Sequence, residues 1–273
     1  MTDARPAWKR MVVGLPQGLA DPAAVEAAAT LAELLQIELL ATFVADATLQ
    51  TLGELSGVRE LRLLEAGWQA IDAGQIERDL LQAAEIARRR FAEAVGTRAV
   101  QARFDVIADT ETMTSLLRAD DVVAIIEPAH PAERITRQFV GLLEAAFALA
   151  GAVLVVPRRI ARTAGPIVAL ATSEQDPAIA VAIEIAAALK ERLIIVTASK
   201  ELPPELLAAA ERRGVAVRHI VPDHSGADIW SLLPALRPQE RLRVVSTDAL
   251  PGGAALFSSL QGTPLLAVRA SPV

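Results

Sequence analysis

The feature that most narrows what this chain can become is a duplication. Met11-Val-Val-Gly-Leu15 and Ile167-Val-Ala-Leu-Ala171 are short apolar runs, each followed by a polar loop ending in Asp-Pro and then by an alanine-rich stretch. Residues 12–42 slide onto residues 167–197 without a gap, pairing Val13 with Val168, Leu15 with Leu170, Ala27 with Ala182 and Leu34 with Leu189. Asp21-Pro22 and Asp176-Pro177 read as helix starts. Aspartate at the N-cap accepts from a free helix N–H, and proline in the first turn has no N–H to leave unpaired. Self-similarity of this kind marks one supersecondary unit used twice.

The remainder of each half follows the same alternation. In the first, apolar periodicity predicts strands over 37–44, 101–108, 121–127 and 152–157, and helices over 75–95, 110–118 and 132–150. In the second it predicts strands over 193–198, 215–221, 242–247 and 264–269, with helices over 203–213, 227–236 and 254–260. Each half is thus a five-stranded βαβαβαβαβ unit. Alternating strands and helices imply a mostly parallel sheet covered on both faces, and uninterrupted runs such as Val122-Val-Ala-Ile-Ile126 and Val153-Leu-Val-Val156 fit strands buried on both sides. The expected division is a first domain over 1–159, a hinge over 158–165 closing on Gly165-Pro166, and a shorter second domain over 165–273. Residues 47–74, with seven leucine and tryptophan side chains including Trp68, have no counterpart in the second half. They either cover the first cleft or offer a partner surface.

Composition narrows the function classes. Hydrophobic residues make up 52% of the chain and aromatics only 3%, as in a helix-rich α/β protein. There is no cysteine, hence no disulfide, thiolate nucleophile or cysteine-type zinc site. The net charge of -6 argues against a nucleic-acid partner, which calls for a basic stripe. Residues 1–10 lack the apolar core of a signal peptide, and the apolar run over 139–157 contains Glu144 and divides into helix and strand, so a cytoplasmic chain with no membrane segment is expected.

The chain resembles a tandem universal stress protein, in topology over nearly its whole length and in sequence over the strand–helix–strand openings and residues 138–159. The resemblance implies two Rossmann-like, adenine nucleotide alpha hydrolase-like units whose last strands meet, setting Val153–Val156 against Leu265–Val268, with two such chains pairing as a homodimer. In that family the segment after the fourth strand carries an ATP loop in which glycines let backbone N–H groups crowd around phosphate. Counting back from Gly141 by the family spacing puts Pro131 and Pro128 where glycines are expected, and Leu142 where a hydroxyl is expected. Proline has no N–H to donate, so no nucleotide is expected in the first half. The acidic residue that the family carries after its first strand is also missing: Pro16-Gln17 and Ala171-Thr172 occupy the two positions. In the second half Gly252, Gly262 and Thr263 meet the last part of the spacing, with Ala249 in place of the first glycine, and Gly253 and Thr172 complete the candidate set. They fit either a nucleotide loop for ATP or AMP, with Gly262-Thr263 abutting the last strand, or a plain tight turn.

The three histidines support no catalytic group. His130 lies beside Glu127, Glu133, Arg134 and Arg137, a cluster that reads as surface ion pairing at a helix start, with an anion or small-molecule cleft around Gln17, Glu127, His130 and Arg134 as its rival. His219 alternates within a strand, and in Asp223-His224-Ser225 the side chains are too close in sequence to face one another as a triad. Arg88-Arg-Arg90 reads as the solvated side of a helix. The expected protein is a non-catalytic, stress-linked or regulatory one, with a second-half nucleotide switch or enzyme and a small-metabolite sensor as rivals.

Overall fold

Strands made only of valine, isoleucine, leucine and alanine must be covered on both faces, and the computed structural model covers them that way. It describes residues 8–15, 22–45, 51, 58–62, 67–70, 72–128, 132, 134, 136–221, 240–250, 256–257 and 260–269. The first half runs β1 (Arg10–Leu15), α1 (Pro22–Leu35), β2 (Glu38–Val44), a hairpin of β3 (Arg59–Arg62) and β4 (Gly67–Ala70), α2 (Ala73–Val95), β5 (Ala102–Ile107), α3 (Thr110–Ser115), β6 (Asp121–Ile126), α4 (Arg137–Leu149) and β7 (Ala152–Val156). The second runs β8 (Ile167–Ala171), α5 (Pro177–Leu189), β9 (Leu193–Thr197), α6 (Pro204–Arg212), β10 (Val217–Ile220), β11 (Leu242–Ser246) and β12 (Leu265–Val268). The helix expected over 227–236 lies outside the described residues.

One ten-stranded sheet results, in the order β10-β9-β8-β11-β12-β7-β6-β1-β2-β5. All neighbours are parallel except β7 and β12, which pair antiparallel with Leu265 opposite Val155 and Val268 opposite Ala152. Five strands from each half therefore share one sheet across this seam. Helices α1, α2, α5 and α6 pack on one face with Met11, Val13, Leu154 and Val244, while α3, α4, Leu256, Phe257 and Leu260 pack on the other with Val12, Val123, Val155 and Val245. The alternation of side chains along each strand divides the two cores.

The repeat is legible in the details. Both α1 and α5 end in a left-handed residue, Gln36 (φ 57°) and Lys190 (φ 56°), after which Ile37 N–H donates to Ala32 O and Glu191 N–H to Ala186 O. These are Schellman-type closures. The strand register differs between halves, however. Val12 faces Leu40, whereas Ile167, its counterpart in the gap-free alignment, faces Leu193 and not Ile195. Counterparts in that alignment also lie on opposite faces of the sheet, Val13 in the core beneath α1 and Val168 in the core beneath α4, so the gap-free pairing of the strands is out of step with the way they face in the fold.

The hairpin of β3 and β4 occupies the expected insertion, and Trp68 stands 61% exposed on it. Helix α4 starts at Arg137, later than the pattern predicts, because Thr136 caps it by accepting from the Phe139 N–H at 3.3 Å. The basic cluster on α2 is solvated: Arg89 pairs with Glu85 at 3.1 Å, and Arg88 lies over the edge-strand ring of Phe104. No helix among the described residues is long and apolar enough to cross a membrane.

Candidate functional site

In open α/β sheets the ligand crevice lies beyond the carboxyl ends of the strands where the strand order reverses. The sheet order places one such point between β1 and β6 and another between β8 and β11. At the second the chain has put a carboxylate of its own, and beside the first, over the ends of β6 and β7, it has put another.

In the second half that group is Asp176. Its Oδ1 caps α5 by accepting from the Ala178 N–H at 2.9 Å. Its Oδ2 turns back across the crevice and accepts from the Thr172 N–H at 2.9 Å, the Thr172 hydroxyl at 3.1 Å and the Ser246 hydroxyl at 3.2 Å. Thr172 follows β8 and Ser246 ends β11, so one carboxylate ties together both strand ends at the reversal point. Asp176 is only 5% exposed. A buried carboxylate with this many donors is well compensated, and the donors are thereby consumed.

In the first half the group is Glu127, directly after β6. Its backbone N–H extends the ladder to Val156 O at 2.8 Å. Its Oε2 accepts from the Arg158 N–H at 2.8 Å, just past β7, and its Oε1 binds the Arg134 guanidinium. Arg134 in turn lies 5.6 Å from the ring centre of Phe257, which packs against Phe139 with centroids 5.5 Å apart. Glu127 is 14% and Arg134 29% exposed, and the Arg134 Nε is buried with no hydrogen-bond partner among the described residues. Phe257 belongs to the second half, so this crevice is braced from across the seam.

The remaining predicted residues divide clearly. Gln17, His130, Pro131, Gly252 and Gly253 lie outside the described residues, as does His224. Pro128 follows Glu127 and is half-buried. Gly141 sits on the exposed side of α4, where an added Cβ would meet nothing within 4 Å, and Leu142 is half-buried against the core beneath that helix. Gly262 and Thr263 stand before β12, at the end of the sheet opposite Thr172 and Ser246. Gly262 has φ +84°, and its carbonyl accepts from the Ala161 N–H at 2.8 Å. An added Cβ there would come within 3.0 Å of the Ala161 Cβ. Thr263 closes the turn by donating its N–H to Leu260 O at 2.8 Å and is 2% exposed. The structure therefore brings Glu127 and Arg134 together and separates Thr172 from Gly262 and Thr263.

Two functional groups escaped the sequence reading. Asp176 is recognisable as a helix cap, but nothing in the local sequence shows Ser246 closing on it. The role of Phe257 over Arg134 is equally hidden, because the two belong to different repeats. His219, on β10, is half-buried with its Nε2 unpartnered. Among the described residues no group of three or more His, Asp or Glu side chains could hold a metal.

No protein-family model matches the sequence, and no curated protein matches it. Solved structures do. A universal stress protein from Archaeoglobus fulgidus DSM 4304 superposes with a TM-score of 0.60 at 11% identity, covering 94% of this chain and 96% of that one. A functionally unknown protein from Pseudomonas aeruginosa PAO1 follows at TM-score 0.51 and 16% identity, covering 97% of this chain and 93% of that one. At such identities the likeness speaks to architecture. A large, mostly parallel sheet flanked by helices, with the reversal points described above, gives this chain the universal stress protein fold.

Proposed function

We propose that this is a non-catalytic, stress-linked regulatory protein that works in the cytoplasm without seating ATP in the family manner. The observation that supports it is a pair of carboxylates at the carboxyl ends of the strands, Asp176 at the reversal point of the second half and Glu127 over β6 and β7 beside that of the first. A phosphate entering either crevice would meet Glu127 or Asp176 in the place where a nucleotide site offers donors. At about 4 Å and an effective dielectric of about 20, one such charge pair costs about 4 kcal/mol of repulsion. The donors that would offset it are spoken for: the Thr172 N–H and hydroxyl and the Ser246 hydroxyl by Asp176, and the Arg158 N–H and Arg134 guanidinium by Glu127. Asp176 does face two hydroxyls, those of Thr172 and Ser246, but it is buried and engaged as the cap of α5 and by the Thr172 N–H, which favours a structural role. The two halves are read as two domains sharing one sheet, and the whole chain as one partner of a homodimer.

Isothermal titration with ATP, ADP and AMP tests the reading. No saturable heat is expected into the millimolar range, and Gly252→Asp should behave as the parent does. Saturable binding that Gly252→Asp abolishes would replace this reading with a nucleotide switch built on the second half.

A further inference from the structure

Away from both crevices, a cavity of about 250 Å³ opens on the other side of the seam, between α1 and α5. Its apolar walls come from both halves: Leu31 and Leu34 on α1, Leu154 on β7, Leu189 at the end of α5 and Leu242 on β11. Three arginines complete it, Arg98 after α2, Arg162 in the linker and Arg241 before β11, against a single lining carboxylate, Glu26. In a chain of net charge -6 this is a local excess of positive charge.

The three arginines are differently committed. Arg98 donates to the carbonyls of Ala94 and Val95 at the end of α2, which leaves its charge unneutralised. Arg241 approaches Glu191 Oε1 only at 4.0 Å, and that oxygen also accepts from the Gly165 N–H at 3.0 Å. Arg162 makes no ion pair or hydrogen bond among the described residues, and it is exposed. An apolar cavity is a poor home for water, which needs two to four polar partners. A guanidinium at its mouth is a strong partner for a carboxylate, being able to bind both oxygens at once.

We propose that this cavity binds a medium-chain carboxylate, its hydrocarbon body between α1 and α5 and its head on Arg162, with Arg98 and Arg241 adding field. The volume corresponds to about eight water-sized groups at about 30 Å³ each, which suits a chain of that order. Burial of the hydrocarbon body supplies affinity and the arginines select the charge. The site is independent of the two crevices, because none of its lining residues belongs to them.

The test is calorimetric titration of the full chain with octanoate, beside 1-octanol and inorganic phosphate as probes lacking the head or the body. Octanoate should bind at least tenfold more tightly than 1-octanol, and phosphate should give no saturable heat. Arg162→Glu, at an exposed position that folding does not depend on, should weaken octanoate at least tenfold and leave 1-octanol unchanged. Leu34→Trp should fill the body site and abolish both, with a thermal melt confirming that the variant is folded. Should octanoate give no saturable heat, bind no better than 1-octanol, or ignore Arg162→Glu in the folded variant, the proposal is overturned.

Discussion

Each half carries a carboxylate at the carboxyl ends of its strands, Asp176 between β8 and β11 and Glu127 over β6 and β7, and the two are held in different ways. In the second half Asp176 serves from within its own loop, reaching back four residues to Thr172 and across to Ser246 at the end of β11. In the first half Glu127 is clamped by Arg134, and Arg134 rests on Phe257 from the other repeat. One carboxylate is held from within its own half and the other with support from across the seam. Duplication thus preserved the architecture while allowing each copy to compensate its carboxylate with whatever its surroundings supplied.

That difference can be broken on purpose. The largest effect is expected from Phe257→Ala, which empties a 5% exposed aromatic site between Phe139 and Arg134 and should cost about 4 kcal/mol in denaturant unfolding. Asp176→Ala removes the cap of α5 and orphans the Thr172 and Ser246 donors, for a loss of about 3 kcal/mol. Glu127→Gln keeps an acceptor for the Arg158 N–H but leaves Arg134 without its anion, at about 1 kcal/mol. Double-mutant cycles then sharpen the contrast: Glu127 and Phe257 should couple through Arg134, whereas Glu127 and Asp176 should be additive within about 0.5 kcal/mol. Additivity in the first pair would mean that the seam does not brace the first crevice.

A third carboxylate supplies the smallest effect. Asp109 follows β5 and caps α3, accepting from the Thr112 N–H at 2.6 Å, and that hydrogen bond holds its carboxyl below the usual range. A depressed folded-state value means that its contribution is complete above the ordinary carboxylate range and is lost as pH falls through the lowered one. Asp109→Asn should flatten this part of the acid limb of a thermal-melt series, and an unchanged acid limb would remove the cap from the account.

The fold was largely legible because its signals are local. Unbroken apolar runs gave β6, β7 and β8, and the Asp-Pro step located α5 to the residue, with Asp176 as its cap. The β3–β4 hairpin was not foreseen, since four-residue strands such as Arg-Glu-Leu-Arg carry too little alternation to register. The two-residue difference in pairing of β2 and β9 was also invisible, because strands apolar on both faces fit either register equally well. At the crevices, the Glu127–Arg134 pairing could be anticipated from their closeness in the chain. The contacts of Asp176 with Ser246 and of Arg134 with Phe257 could not, because only the folded sheet brings those segments together.

The account's central claim is that the chain's own carboxylates hold the donors a nucleotide would need. Its most direct test is an amide nitrogen–proton spectrum of the labelled protein during titration with ATP, following the Thr172 and Arg158 N–H resonances. Both should stay in place into the millimolar range, corresponding to binding no stronger than about 4 kcal/mol. A saturable shift of either resonance at micromolar ATP would contradict it.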